Sequence, residues 1–242
     1  MTELRVLPLA GLPEVREGDD LGALIAATAE LEDDDVVVVA QKIVSKAEGR
    51  VVQLADVEPS RKAVELAADQ DPRKLEVVLR EARRIVRERP PLVIAETRHG
   101  FVCASAGVDA SNAPELGMLV LLPEDPDASA ALIRDRLAAL TGRVVGVLVT
   151  DSFGRAWRQG TTDVAIGAAG MEVLVDVRGV RDRVGYELHA TTIAVADEIA
   201  GAAELVMGKV EGVPGAIVRG LRLSGEGRAR DLVMPRARDL FR

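Results

Sequence analysis

Residues 35–40, DVVVVA, place the tightest constraint on what this chain can fold into. Four valines in succession leave no position for water, and β-branched side chains favour extended backbone, so the segment reads as a buried strand. The acidic run LEDDD (31–35) in front of it reads as a solvated turn rather than a metal site. LVIAET (92–97), MLVLL (118–122), VVGVLVT (144–150), MEVLVDV (171–177) and GAIVRG (215–220) are further strand candidates. Aromatic residues make up only 2% of the chain, so the core these strands share must be aliphatic.

Three helices stand out between them. One opens at Asp71-Pro72, an N-cap followed by proline in the first turn. Leu75, Val78, Leu79, Ala82, Ile85 and Val86 then keep helical spacing on one face, with Arg80, Arg83, Arg84 and Arg87 on a solvated opposite face. A second runs from Asp125-Pro126 to Gly142, which suits a C-terminal cap. A third, rich in alanine and therefore suited to close packing, spans roughly Thr192 to Met207. Strands and helices alternate without the regularity of a doubly wound fold. The expectation is an α+β protein with mixed sheets and packed helices in two interleaved lobes, one module over 1–242, with no linker or internal repeat.

Bulk properties exclude several classes of partner. A net charge of −8 disfavours a broad phosphate-backbone footprint, and so few aromatic rings disfavour stacking on single-stranded bases, so no nucleic acid is expected. No apolar run approaches the ~20 residues that cross a bilayer, and the N-terminus lacks the pattern of a secretory signal. The single cysteine, Cys103, lies in the apolar FVCASAGV and reads as a small core residue in a reducing, cytoplasmic protein.

Phosphate-loop, dinucleotide-fingerprint, zincin and nucleophile-elbow motifs are all missing, and His99 and His189 are too few for a histidine-rich metal site. The remaining chemistry lies in polar segments at the edges of apolar runs. GLPEVREGDD (11–20) is a turn leading into a helix. QKIVSKAEGR (41–50) follows the valine strand with Lys42, Lys46 and Arg50, placed either to meet phosphate oxygens or to form a basic surface loop. AGVDASN (106–112) crowds Asp109, Ser111 and Asn112 into a loop. In GVLVTDSFGRAWRQG (146–160) a buried strand ends in Asp151 and Ser152 before a loop carrying Arg155 and Arg158. If Asp109 and Asp151 converge, they form a hard-oxygen site for one or two divalent ions beside a nucleotide phosphate; two separate capping aspartates are the alternative.

These segments, with LLPEDPDASA, AIGAAG, VADEIAGAAELVMGK and PGAIVRGL, occur in an order that resembles the coenzyme F-420:L-glutamate ligase (gamma-glutamyl ligase) family. The resemblance runs from about Leu7 to the terminal DLFR and includes no counterpart of the nitroreductase-like domain fused to this module in some bacteria. It implies a homodimer of family-specific fold that uses GTP and magnesium or manganese. The implied reaction adds L-glutamate to the deazaflavin precursor F-420-0, with further glutamates joined by gamma-linked amides.

Position by position, the resemblance assigns the guanine nucleotide to Leu12, Pro13, Glu14, Val15, Gln41, Lys46 and Asn112. The segment Met207, Gly208, Lys209, Val210, Glu211, Gly212 and Val213 is expected beside it. Asp109, Asp151 and Ser152 match the metal positions, and Lys46 would steady the transferred phosphoryl group beside the catalytic Asp109 and Asp151. Lys209 departs from the acidic or amide residue found there in some members; a protonated lysine cannot coordinate, so a second ion is in doubt or takes Glu211. Arg155 and Arg158 are candidates for an anionic substrate tail, or for pairing with local acids. The implied route is an acyl phosphate formed on the F-420-0 carboxylate and displaced by the glutamate amine. A metal-dependent nucleotide phosphohydrolase and a non-enzymatic nucleotide-binding module are the competing readings.

Overall fold

The computed structural model describes residues 3–240; Phe241 and Arg242, the end of the DLFR segment, lie outside them. The fold is α+β. It begins with β1 (Arg5–Pro8), α1 (Leu21–Thr28), β2 (Val36–Ala40) and α2 (Gln41–Ala47). The middle of the chain forms β3 (Val51–Gln53), α3 (Arg61–Ala67), α4 (Pro72–Glu81), β4 (Ala82–Arg89), β5 (Leu92–Thr97), β6 (Val102–Ala104) and β7 (Met118–Val120). The chain then returns through α5 (Pro126–Thr141), β8 (Gly146–Arg155), β9 (Arg158–Ala169), β10 (Val175–Asp176), β11 (Thr192–Ile193), α6 (Val195–Met207) and β12 (Gly215–Arg219).

The main sheet has the order β1-β12-β2-β8-β9, and only β2 and β8 within it run parallel. The unbroken valine run is explained by what covers the sheet. Val37 and Val39 pack with Val147 and Val149 against α1, α2 and α5, while Val36 and Val38 pack with Leu148 against α6. A strand covered on both faces has no solvent side on which to carry polar residues. Alanines at 196, 200 and 203 are fully buried and bring α6 close to the sheet. A third apolar cluster joins α3 and α4 to β5 and β7 through Leu66, Leu75, Val78, Val93 and Leu119. No helix among the described residues is long and apolar enough to cross a membrane.

The proline-led helices start where expected, with Asp71 and Asp125 accepting from the backbone N–H groups of Arg73 and Ala128. Gly142 closes α5 in the left-handed conformation. Four expectations need correction. Helix α4 stops at Glu81; Ile85, Val86 and the arginines at 83, 84 and 87 belong to β4, which pairs with β5, and Arg84 meets Glu96 at 2.8 Å. Helical spacing there is real but loses to a hairpin ladder with the adjoining β5, which satisfies backbone groups along β4. MEVLVDV contributes only the two-residue β10, because Met171 and Val173 turn beneath α6. The alanine-rich helix begins at Val195, since Thr192–Ile193 pairs with β10. Finally, Asp35 of the acidic turn is fully buried rather than solvated, held by Arg219.

Candidate active site

Two features of the sheet open a cleft. Strand β2 ends at Ala40, opposite Thr150, but β8 does not end there as the sequence suggests; it continues to Arg155, paired only with β9. The edge of β8 at Asp151 and Ser152 therefore faces open space at the carboxyl end of the parallel pair, the position where open α/β sheets bind ligands. QKIVSKA is not a basic surface loop but the helix α2, beginning directly at the end of β2. Lys42 and Lys46, one turn apart, are both buried.

The cavity at this point has a volume of about 230 Å³. Of the residues expected at a nucleotide, all line it except Glu211: Leu12, Pro13, Glu14 and Val15 from the loop before α1, Gln41 and Lys46 from α2, Asn112, and 207–210 with 212–213 after α6. Asp151 and Ser152 line it as well, with Thr150, Lys42, Asp163 and Glu204. Glu211 instead folds back so that its Oε2 accepts from the Val210 amide at 2.9 Å. Gly208, at a φ of +63°, makes room for it, since a Cβ there would lie 2.0 Å from Glu211 Oε2.

Asp151 lines the cleft, whereas Asp109 is not among the lining residues and meets the site through Lys42, whose charge also acts on Asp151. Asp109 Oδ2 lies 2.6 Å from Lys42 Nζ, and that ammonium donates to Ser111 Oγ at 2.8 Å. Burial would raise the Asp109 carboxyl, but the Lys42 hydrogen bond, the Ser111 amide and the Lys42 charge outweigh it and hold it down at about 2. Asp151 is the opposite case. Burial pushes its carboxyl up to about 7; Lys42 and the Ser152 amide pull it down, and the charges of Asp163 and Asp109 push it further up. The same burial, with Asp151 nearby, raises the Cys103 thiol to about 12, which leaves it the inert core residue expected.

Other polar groups are oriented by the walls. Lys46 Nζ is tied to Glu14 across the cleft mouth. Gln41 accepts from Ser45 Oγ through its Oε1 at 2.9 Å, while its Nε2 is buried with no acceptor among the described residues. Lys209 reaches the β8 edge, with Nζ 3.4 Å from Ser152 Oγ. Arg155 and Arg158 lie outside the cleft on the exposed β8–β9 hairpin, where Arg155 donates to the Gln159 carbonyl at 2.8 Å. Among the described residues, no group of three or more histidine, cysteine, aspartate or glutamate side chains has metal-binding spacing.

Sequence reasoning placed Lys42 to meet phosphate oxygens or solvent rather than Asp109, and overlooked Thr150, Asp163 and Glu204. Asp163 had a signal: a lone acid leading into the apolar VAIGAA of β9. Its neighbours across the strand pair were not visible, because the register of β8 with β9 shifts between Val149 and Thr150.

Comparison with known proteins fits this geometry. The family model F420-0:Gamma-glutamyl ligase matches residues 11–220. A coenzyme F420:L-glutamate ligase of Methanopyrus kandleri is 51% identical over 99% of this chain and 98% of its own length. Proteins of the same name from Methanothermobacter thermautotrophicus and Archaeoglobus fulgidus are each 42% identical over 99% of this chain, covering 99% and 96% of their own lengths. The chain belongs to the F420-0:gamma-glutamyl ligase family.

Proposed function

We propose that this chain is a GTP-dependent ligase that joins L-glutamate to the deazaflavin precursor F-420-0, adds further glutamates through gamma-linked amides, and releases GDP. The observation that carries this reading is Asp151, a desolvated carboxylate that feels the like charges of Asp163 and Asp109 and whose nearby cation, Lys42, is already paired with Asp109. Hard oxygens with surplus negative charge gain stability from a divalent cation, and Asp151 and Ser152 lie in a cleft that also holds Lys46 and the Gln41 amide with its unpaired Nε2. Asp109, Asp151 and Ser152 would hold magnesium or manganese. When bound, the ion supplies positive charge to the phosphate oxygens.

The chain's own groups do the rest. The loop 12–15 and the segment 207–213 enclose the nucleotide, and the Gln41 amide donates to it. Lys46, released from Glu14, balances charge on the transferred phosphoryl group. The terminal carboxylate of F-420-0 attacks the gamma-phosphorus, the bond to the bridging oxygen breaks, and GDP leaves. The glutamate amine then attacks the acyl carbon, gives up a proton, and inorganic phosphate departs with its C–O bond broken. Activation is required because a free carboxylate has only oxide to expel.

The test is mass spectrometry of F-420-0 incubated with the protein, GTP, L-glutamate and manganese. Discrete glutamyl mass steps, with GDP release that needs both acceptors, are expected. Phosphate release at the same rate from GTP alone would replace this reading with a phosphohydrolase; tight GTP binding without turnover would leave a binding module. The reading includes a homodimer, supported by exposed Trp157, Val184 and Tyr186 on the β8–β9 hairpin and the arm that follows it. Light scattering should then give twice the 25.7 kDa of one chain.

A further inference from the structure

Asp163 is 6% exposed and sits opposite Ser152 in the β8–β9 register. Both of its oxygens are engaged by hydroxyls from the neighbouring strand: Thr150 Oγ1 donates to Oδ2 at 2.9 Å, and Ser152 Oγ donates to Oδ1 at 2.7 Å. Its backbone N–H donates to Glu204 Oε2 at 3.0 Å, which ties this point of β9 to α6. Thr150, Ser152, Asp163 and Glu204 all line the cleft.

A hydroxyl has one proton and two lone pairs. An ionised carboxylate can only accept, so each hydroxyl spends its proton on Asp163 and presents lone pairs elsewhere. Ser152 Oγ already does so toward Lys209 Nζ, a cation 3.4 Å away. Without Asp163 the same hydroxyls could turn and donate to a phosphate or carboxylate, which a cation site cannot tolerate. We infer that Asp163 is a positioning residue: it commits the hydroxyls of Thr150 and Ser152 to act as acceptors, so that the β8 edge receives a divalent cation rather than an anion. This rests on the metal-dependent reading above and assigns Asp163 no contact with the ion. Groups that orient metal ligands in this way typically alter metal affinity by about 10–100-fold when removed.

The experiment measures Mn2+ binding directly, from the electron paramagnetic resonance signal of the free ion, with GDP present and no acceptor substrate. Asp163→Asn should weaken binding about 10–100-fold. The double variant Thr150→Val/Ser152→Ala, which keeps Asp163, should lose a similar factor. The hydroxyl-conserving Thr150→Ser/Ser152→Thr should bind as the wild type does. Combining Asp163→Asn with the hydroxyl deletions should add little further loss, because both act through the same groups. Circular dichroism separates any folding failure of Asp163→Asn, and the hydroxyl variants then decide alone. Normal binding by Thr150→Val/Ser152→Ala overturns the inference, as does normal binding by folded Asp163→Asn. Failure of the wild type to bind Mn2+ would instead overturn the metal-dependent reading, and this inference with it.

Discussion

The two ends of the parallel pair β2 and β8 treat buried acids in opposite ways. At the amino end, Asp35 is fully buried and answered completely: Arg219 Nε and Nη2 each donate at 2.8 Å, one to either oxygen, and the Glu32 amide adds a third bond. At the carboxyl end, Asp163 and Asp109 both push the Asp151 carboxyl up, and the ammonium of Lys42 pairs with Asp109. A buried charge with a bidentate partner is a finished structural element. Buried acids that outnumber their cations store unfavourable energy that a ligand can relieve. The difference separates the acids that hold the fold from those that await chemistry, and it can be tested.

The largest expected effect is catalytic. Asp151→Asn should lower ligase kcat on the order of 10³-fold while circular dichroism stays unchanged. Retained turnover with ordinary metal dependence would falsify the placement of chemistry at this end. At the other end, Arg219→Met strands Asp35 without its partner and should destabilise the protein by about 3–5 kcal/mol in urea unfolding. The fraction still folded should keep a normal kcat; a selective loss of activity would erase the distinction between the two ends.

A third effect is smaller and has a definite sign. An unfolded aspartate titrates near 3.9, whereas Asp151 in the folded chain is pushed up to about 7. Between those values the folded state holds the proton more tightly, so this stabilisation is fully present below the unfolded pKa and is lost as pH rises through about 7. In metal-free protein, Asp151→Asn should therefore melt a few degrees above the wild type at pH 8, with the gap narrowing as pH falls below about 7 and closing only below the unfolded pKa of about 3.9. Added Mn2+ should close the gap at pH 8 by raising only the wild type. A gap that did not change with pH would remove burial as its cause. Smallest of all, Arg158→Ala on the exposed hairpin should raise KM for F-420-0 by about 2–5-fold with kcat intact, the range of an exposed ion pair. An unchanged KM would leave that arginine outside the substrate's reach.

Part of this arrangement was legible in advance. The valine run, the proline-led helix starts and the polar segments at strand ends all carry local signals, and the expected residues 12–15, 41, 46, 112 and 151–152 line one cleft. The extension of β8 past Thr150 was not legible, because Asp151 and Ser152 look like a strand terminus until β9 pairs with them. Nor was β4, whose residues keep helical spacing up to Val86 and switch to a ladder only because β5 is present to complete it. Asp163 went unnoticed because its function depends on which two hydroxyls face it across the strands.

The amino-acid order alone determined which stretches must be buried, which caps begin the helices, and which family the ordered segments resemble, since these depend on side chains close in sequence. Tertiary structure alone decided which buried acids acquire a cation. Asp35 finds its guanidinium 184 residues away, while Asp151 finds burial, two like charges and a lysine already paired with Asp109. Charge falls off with distance in space rather than along the chain, so only folding determines which acids are neutralised and which remain available to bind.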